Sequence, residues 1–279
     1  MNQDWSDIEA ELIVKDYFKM LVKETHNLPL NKTEHRQRLL PFLNGRSEGS
    51  IEFKYANISA ALITLGLPYI RGYKPRYNFQ KAKLLLTIQQ YLELNPNIYS
   101  LFRQFVNSHL AVKSVAINFE NWVVSPPSPT NYFEEPLPLT YRPVKINYLE
   151  REQHNRDLGF RGEELVMEFE RYKLIRAGRE GLAERVEWVS RDKGDGMGYD
   201  ILSKNLSGTD KYIEVKTTKL TREAPFFFTS RELQFSASVA QDFHLYRVFD
   251  FNNNPKMFCL NGSYKQFCKM EAVHYRGWI

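Results

Sequence analysis

Six prolines crowd into one short stretch of this 279-residue chain, and no other feature restricts its fold so strongly. They are Pro126, Pro127, Pro129, Pro136, Pro138 and Pro143. Because proline fixes φ and lacks an amide hydrogen, neither a helix interior nor a central strand tolerates such a run. The stretch therefore predicts a semi-rigid linker over residues 121–150, between one domain at 1–120 and another at 151–279.

The first predicted domain is helical. Ser6 and Glu9 form a capping-box pattern ahead of apolar residues at helical spacing. Further helices are predicted from Asn31 or Thr33 to about Pro41, and over residues 57–66 and 81–94. Three short helices followed by the basic, aromatic segment 71–77 predict an all-helical domain of helix-turn-helix or winged-helix-like type.

Positive charge is concentrated in this first part of the chain. The formal net charge is +5, and residues 46–83 contain seven basic and two acidic side chains, an excess equal to that of the whole chain. Such a segment favours a polyanionic partner, and DNA is the partner that we predict. The alternative is a solvated helix face.

Six residues are the candidates for contact with DNA. Those expected to bind phosphates, from the turn after the third helix, are Arg71, Lys74 and Arg76. Those expected to reach base edges, if the third helix enters a major groove, are Arg46, Lys54 and Asn57.

After the linker the sequence changes to a mixed pattern of helices and strands. Helices are predicted over residues 162–174 and 230–240. Strands are predicted over 186–189, 199–203, 212–217, 243–251 and 256–260, of which the second and third form a hairpin. This order indicates an α/β layer with a mixed sheet.

One predicted hairpin carries residues suited to catalysis. The glycine-rich segment before the first strand ends in Asp200, and the second strand has Glu214 and Lys216 two residues apart. Because side chains alternate along a strand, Glu214 and Lys216 share a face and Val215 points the other way. Carboxylates that converge with an ammonium group suit Mg²⁺-assisted cleavage of a phosphodiester. A Glu-x-Lys triplet taken alone is more often a surface pair.

Four motifs occur in order in this second half: Gly159-Phe-Arg-Gly-Glu-Glu-Leu-Val-Met-Glu-Phe-Glu, Gly194-Asp-Gly-Met-Gly-Tyr-Asp-Ile-Leu-Ser, Tyr212-Ile-Glu-Val-Lys-Thr-Thr and Phe226-Phe-Phe-Thr-Ser-Arg-Glu-Leu. With them, residues 150–279 resemble the NO VEIN C-terminal domain family, which is similar to the PD-(D/E)XK restriction-endonuclease-like superfamily. The resemblance implies a restriction-endonuclease-like mixed-sheet fold with a metal-dependent nuclease site.

The resemblance also implies a role for each matching residue. Asp200 and Glu214 would hold the metal, and Lys216 would lie beside the scissile phosphate. Glu163 resembles the accessory glutamate that such folds present from their opening helix, and Glu164 competes with it for that assignment.

Other residues in these motifs have simpler explanations. Asp195 is more readily explained by a tight turn. Glu232 suits the positive end of a helix dipole. Tyr199, which stands where the superfamily's name has proline, is either a core or a site residue, and Thr217 and Thr218 either contact phosphate or favour a strand.

Other classes of protein find little support. The six histidines are scattered singly, no phosphate-binding loop of the Gly-x-x-x-x-Gly-Lys-Ser/Thr type occurs, and Cys259 and Cys268 lack zinc-ligand spacing. The N-terminal segment has no signal-peptide pattern, and the apolar run at 58–70 is too short to span a bilayer. We therefore expect no membrane contact and a cytoplasmic location.

The sequence thus predicts a Mg²⁺-dependent DNA endonuclease of restriction or phage-defence type, with Mn²⁺ as an alternative ion and a homodimer as one way to cut both strands. The competing hypotheses are a non-cleaving DNA-binding sensor with a nuclease-like fold, and a protein-interaction module.

Overall fold

The computed structural model describes residues 4–107, 117–128, 146–194 and 196–274. Within these ranges the elements are, in chain order, α1 (Asp7–Thr25), α2 (Lys32–Leu39), α3 (Glu48–Thr64), α4 (Lys81–Leu94), α5 (Ile98–Asn107), α6 (Tyr148–Gln153), α7 (Arg156–Arg176), α8 (Glu180–Ala183), β1 (Glu187–Trp188), α9 (Val189–Lys193), β2 (Ile201–Lys204), β3 (Asp210–Thr217), α10 (Ser230–Ser238), β4 (Phe243–Phe249), β5 (Lys256–Asn261) and α11 (Tyr264–Phe267).

The described residues form two compact units that alternate along the chain. Unit 1 takes its residues from Met1–His109, Pro127–Asn155 and Glu223–Pro225, and unit 2 from Leu110–Pro126, Arg156–Arg222 and Phe226–Ile279. Most of the predicted proline linker, residues 129–145, lies outside the described residues. The described ends of that stretch are divided between the two units, with 121–126 in unit 2 and 146–150 in unit 1.

Helix α1 is the centre of unit 1. The Ser6 side chain accepts a hydrogen bond from the Glu9 amide and the Glu9 carboxylate accepts one from the Ser6 amide, so the predicted capping box is confirmed. The helix packs against α2, α3, α4 and α5. Its buried side chains include Ile13, Val14, Tyr17, Phe18 and Leu21.

Helix α3 is longer than the sequence predicts and more deeply buried. It begins at Glu48, where the Ser47 side chain caps the Ser50 amide, rather than near Asn57. Every residue from 55 to 62 is buried. That stretch has no face left for a DNA groove, contrary to the role predicted for the third helix.

No helix within the described residues is long and apolar enough to cross a membrane.

Unit 2 is built on a five-stranded mixed sheet in the order β1-β2-β3-β4-β5. β3 and β4 are parallel, and the other neighbouring pairs are antiparallel. The predicted mixed sheet and the hairpin of β2 and β3 are confirmed. Helix α7 starts at Arg156, earlier than predicted, and α10 is capped by Thr229 rather than Ser230.

The two faces of the sheet bury different clusters. On the face covered by α7, the packed side chains include Leu158, Val166, Ile201, Ile213, Val215 and Val248. On the opposite face, which we call the α10 face, they include Phe243, Leu245, Tyr264, Leu233 and Phe235. Since Val215 lies on the α7 face, its neighbours Glu214 and Lys216 lie on the α10 face.

A segment that precedes α7 by some thirty positions completes the unit. Trp122 is 1% exposed and packs with Phe169 of α7 at a ring-centroid distance of 5.2 Å. Its carbonyl accepts the Met257 amide at 3.1 Å, and the Val124 amide donates to the Met257 carbonyl at 2.8 Å. Residues 122–124 therefore extend the sheet beside β5.

Candidate active site

The pairing of β2 with β3 places the predicted acidic residues side by side. Ile201 is opposite Ile213, so the next position along the register sets Asp200 opposite Glu214. The Asp200 amide donates to the Ile213 carbonyl at 2.9 Å, which continues the ladder by one step. Asp200, Glu214 and Lys216 consequently meet at the end of β2, as the sequence predicts.

Asp200 accepts a backbone hydrogen bond but lies among like charges. Its carboxylate takes the Val215 amide at 2.7 Å. Burial and the negative charge of Glu163 raise the pKa of Asp200 to about 8, against the opposing effects of Lys216 and the Val215 amide. Burial and the neighbouring acid thus favour the protonated form of this carboxyl.

Lys216 joins two carboxylates. Its ammonium lies 2.7 Å from Glu214 Oε1 and 2.7 Å from Glu232 Oε2. Burial alone would lower the pKa of Lys216, but the charges of Glu214, Glu232 and Asp200 raise it, so the group stays cationic. Burial and the charge of Asp200 raise the pKa of Glu214 well above its ordinary value even though Lys216 opposes them.

Glu163 reaches this group from helix α7. Its carboxylate accepts hydrogen bonds from the Trp188 indole at 2.6 Å and from the Ser190 hydroxyl. Its charge is the largest electrostatic contribution to the raised pKa of Asp200, after burial. Glu164 is exposed on the same helix. Of the two competing assignments, Glu163 is the one near the acidic group.

Three further residues of the α10 face escaped the sequence reasoning. Glu232 was explained as a helix-end charge, yet its second oxygen binds Lys216 while the first accepts the Thr229 hydroxyl at 2.9 Å. Arg247 of β4 is the residue opposite Lys216 of β3 in the strand register, and it is 1% exposed. Tyr264 is fully buried, and the charges of Glu214 and Glu232 act on its phenol. Of these three residues, Arg247 is the one that the sequence could have singled out, because it is a charged residue within the mainly apolar strand β4.

The donor set suits a hard divalent cation. Four carboxylates, those of Glu163, Asp200, Glu214 and Glu232, share a partly buried region with Lys216, and their mutual repulsion is seen in the raised pKa values of Asp200 and Glu214. Within the described residues no three His, Cys, Asp or Glu side chains are arranged as a ready metal site. Mg²⁺ usually takes only one or two protein carboxylates and keeps several waters, so Asp200 and Glu214 suffice chemically.

The residues of this site lie in a segment that is similar to known proteins. Residues 162–260 match the family model described as Protein NO VEIN, C-terminal. The resemblance drawn from the four motifs is thereby confirmed for this segment, which contains Glu163, Asp200, Glu214, Lys216 and Glu232. No solved structure matches the chain.

Two similar proteins come from Arabidopsis thaliana. Protein NO VEIN is 34% identical over 96 residues, which are 34% of this chain and 3% of that protein. Protein NO VEIN-LIKE is 26% identical over 137 residues, which are 46% of this chain and 20% of that protein. The chain therefore matches only a small part of the length of either relative.

The predicted DNA-contact residues of unit 1 lie before the NO VEIN C-terminal match, and two of them are used internally. Arg46 donates to both Glu9 oxygens at 2.9 Å, and its side chain is 9% exposed. Asn57 is 3% exposed and donates to the Arg76 carbonyl at 2.7 Å. Contact with base edges would require both side chains to abandon these bonds. A run of basic residues in the sequence does not show that Arg46 binds Glu9, which lies 37 residues away in the chain.

The other four candidates differ in their exposure. Lys54 is half-buried with its ammonium 5.1 Å from the Trp5 ring, and burial lowers its pKa to about 8. Arg71 lies 3.5 Å from Glu24. Lys74 and Arg76 are exposed, and Arg76 lies over the Phe53 ring. Lys74 and Arg76 are thus the best placed of the six for an external phosphate.

Tyr199, Thr217 and Thr218, motif residues for which the sequence also allows a structural role, are buried. Tyr199 packs in the core against Phe235, with ring centroids 4.9 Å apart. Thr217 is buried against Gly162 of α7, and Thr218 is buried and donates its amide to the Val248 carbonyl. Asp195 lies outside the described residues.

Proposed function

We propose that this chain is a Mg²⁺-dependent DNA endonuclease of restriction or phage-defence type, with a PD-(D/E)XK-like site in unit 2. One observation carries the proposal. Asp200, Glu214 and Lys216, which the motif comparison selects by residue type, share one sheet face and interact electrostatically in a partly buried region. Carboxylates can hold the ion that assists phosphodiester cleavage, and a neighbouring cation can stabilise the charge that develops on the phosphate.

The role of each side chain follows from its surroundings. Asp200 and Glu214 would hold Mg²⁺, or Mn²⁺ in its place. When bound, the ion supplies Lewis-acid activation of water and neutralises charge on the phosphate. The two carboxyls must lose their protons for this, and an added positive charge lowers the pKa of both.

Lys216 is the residue that would face the reacting phosphate. Its raised pKa keeps it positively charged over the whole physiological range. A fixed cation beside the phosphate offsets the negative charge that grows in the transition state. Because Glu214 and Glu232 hold it in the resting structure, it must leave at least one of them to act.

Glu163 would orient the site rather than bind the substrate. The Trp188 indole and the Ser190 hydroxyl fix its carboxylate. From that position it acts on Asp200 or on a water beside the ion.

DNA is the proposed substrate because the exposed cations of unit 1 suit a phosphate backbone. Lys74 and Arg76 lie on the segment that follows α3, and both are exposed. Contacts of this kind bind any sequence and weaken with salt. Selection of a particular site needs further contacts.

The test is cleavage of plasmid and phage DNA by the purified full-length chain, with Mg²⁺, with Mn²⁺ and with chelator. We expect nicking only with a divalent ion, loss of nicking in Asp200→Asn, and a fall of about 100- to 1000-fold in Lys216→Met. The matched control is Asp192→Asn, because Asp192 is an exposed aspartate of the same unit, paired with Arg191.

The accessory acid has its own matched pair. Glu163→Gln should slow cleavage about 10- to 100-fold, whereas Glu164→Gln should leave it unchanged. Undiminished cleavage by Asp200→Asn would remove the proposal. Tight DNA binding without nicking, under every ionic condition, would instead favour a sensor that uses the same basic surface.

A further inference from the structure

The hydroxyl of Tyr264 is a hydrogen-bond donor that the resting structure does not use. Tyr264 begins α11 and is 0% exposed. Its hydroxyl has no hydrogen-bond partner among the described protein atoms. A buried polar group without a partner lowers stability, and in native proteins such groups concentrate where function requires them. Its presence therefore needs an explanation other than folding.

The ring is held in a fixed orientation. Phe228 stacks on it with centroids 4.1 Å apart and planes 4° from parallel, and Phe243 meets it edge-on at 5.5 Å. The Tyr264 amide donates to Ser236 of α10 at 3.4 Å. Packing on both sides leaves the phenol little freedom to turn away, so the direction of its hydroxyl is set by the fold.

Tyr264 lies on the same face of the sheet as Glu214. Tyr264 packs in one cluster with Leu245, the residue that pairs with Glu214 across β3 and β4. Burial, and then the charges of Glu214, Glu232 and Asp200, raise the pKa of Tyr264, so the phenol keeps its proton and remains a donor. Of these charges, that of Glu214 acts on it most strongly.

In the resting structure the Glu214 carboxylate forms an ion pair with the Lys216 ammonium, which lies 2.7 Å from Glu214 Oε1. A divalent ion at Glu214 would repel that ammonium, since both are positive and close. Lys216 would then keep its contact with Glu232. The carboxylate oxygen that it leaves would become a buried acceptor without a donor, which is costly unless another group replaces the ammonium.

We propose that Tyr264 is a positioning residue of Glu214, whose hydroxyl donates to this carboxylate when a divalent ion displaces Lys216. The inference rests on the proposed metal-dependent function. It assigns a use to the idle hydroxyl, and it explains how the ion could bind and Lys216 could move without leaving Glu214 unsatisfied. Carboxylates that hold metals are commonly fixed by such outer hydrogen bonds.

The test combines metal affinity with stability, both measured on the full chain. Tyr264→Phe removes only the oxygen. We expect Mn²⁺ affinity, measured by calorimetry, to fall about 10- to 100-fold. Because the hydroxyl has no partner among the described protein atoms, we expect the urea midpoint without metal to stay the same or rise. A merely structural tyrosine would show the reverse, a lower midpoint with unchanged affinity, and this result would overturn the inference.

Tyr246→Phe is the matched control. The Tyr246 hydroxyl is buried on the α7 face of the same sheet and donates to Glu170 at 2.7 Å. Its removal should lower the urea midpoint and leave Mn²⁺ affinity unchanged. In a Glu214→Asp background, whose shorter carboxylate lies farther from the phenol, Tyr264→Phe should have a smaller effect on affinity than in the wild type. Equal effects in the two backgrounds would show that Tyr264 does not act through Glu214.

The Asp200→Asn variant distinguishes failure of the role proposed for Tyr264 from failure of the proposed metal site. If Asp200→Asn loses Mn²⁺ affinity while Tyr264→Phe keeps all of it, the role of Tyr264 is overturned and the metal site stands. If Asp200→Asn keeps full affinity, the metal site and the role of Tyr264 both fail.

Discussion

At the scale of single residues, the candidate site is under electrostatic stress. Asp200 and Glu214 would both be ionised in water at neutral pH, yet in the fold burial and neighbouring acids raise both pKa values. Lys216 relieves only part of this repulsion. Such stress is common at active sites, where residues are arranged for binding or catalysis at a cost in stability.

This stress predicts a pH dependence of stability. The pKa of Asp200 is about 8 in the folded chain, whereas an unfolded aspartate has one near 3.9. Between these values the folded state binds more protons than the unfolded state, so Asp200 stabilises the fold at low pH and this contribution is lost as pH rises toward 8. Asp200→Asn should flatten the profile and be the more stable protein above pH 8.

Urea unfolding at a series of pH values without divalent ions measures this effect. Parallel profiles of wild type and Asp200→Asn would contradict the raised pKa. Addition of Mg²⁺ should restore much of the wild-type stability at high pH, because an ion that binds only the folded state stabilises it. The exposed control Asp192→Asn should follow the wild type.

The sequence could predict some of these residues and not others. Asp200, Glu214 and Lys216 lie close together in sequence, and strand alternation is enough to place them on one face. Glu232 and Tyr264 reach the site only through the packing of α10 and α11 on the sheet. Local periodicity carries no record of such contacts, and a residue at a helix start already has an adequate local explanation.

At the scale of elements, α7 approaches β3 closely at Gly162. A Cβ atom at Gly162 would lie 1.8 Å from the Thr217 hydroxyl oxygen, so glycine is needed there. Gly162 stands directly before Glu163 on α7, and Thr217 directly follows Lys216 on β3. The close approach thus positions two residues of the candidate site relative to each other.

Two alanine substitutions in α7 should therefore have opposite effects. Gly162→Ala should force the helix from the strand and cost about 1–3 kcal/mol of stability. Gly159→Ala, where a Cβ would meet nothing within 4 Å, should stabilise the helix by about 0.5–1 kcal/mol. Urea unfolding of the two variants compares them directly. A stabilised Gly162→Ala protein would show that α7 and β3 are farther apart than described.

The elements themselves were largely predictable where local signals were strong. The caps at Ser6 and Asn31 and the alternation along β3 fixed three of them correctly. The start of α3 was missed because Gly49 and the polar residues around it resemble a loop. Burial of Ile51, together with the hydrogen bond from Tyr55 to Asp16 at 2.6 Å, supports those first turns through tertiary contacts.

At the scale of the whole molecule, packing decides which charged side chains of a segment are exposed. The basic segment 46–83 of unit 1 predicts a binding surface, but some of its candidate side chains are buried and cannot contact a partner. The charge of a segment is set by its sequence. Which of its side chains meet solvent depends on packing against residues far away in the chain, and no local pattern encodes that.

The remaining exposed cations give a test of DNA binding. The double variant Lys74→Ala, Arg76→Ala should weaken binding to any DNA sequence and reduce the slope of log affinity against log salt by about 1 to 2. Lys15→Ala, Lys19→Ala removes the same charge from exposed positions on α1 and is the matched control. Fluorescence anisotropy at several salt concentrations distinguishes them. Equal loss in both double variants would indicate a general effect of net charge.

The insertion of Trp122 into unit 2 bears on how the protein can be divided. A fragment that starts at residue 151 would lack this indole, and its absence would uncover Phe169 and leave the edge of β5 unpaired at Met257. Expression of a fragment that contains α7 and the five-stranded sheet should therefore succeed only if residues 117–126 are retained or supplied as a separate peptide.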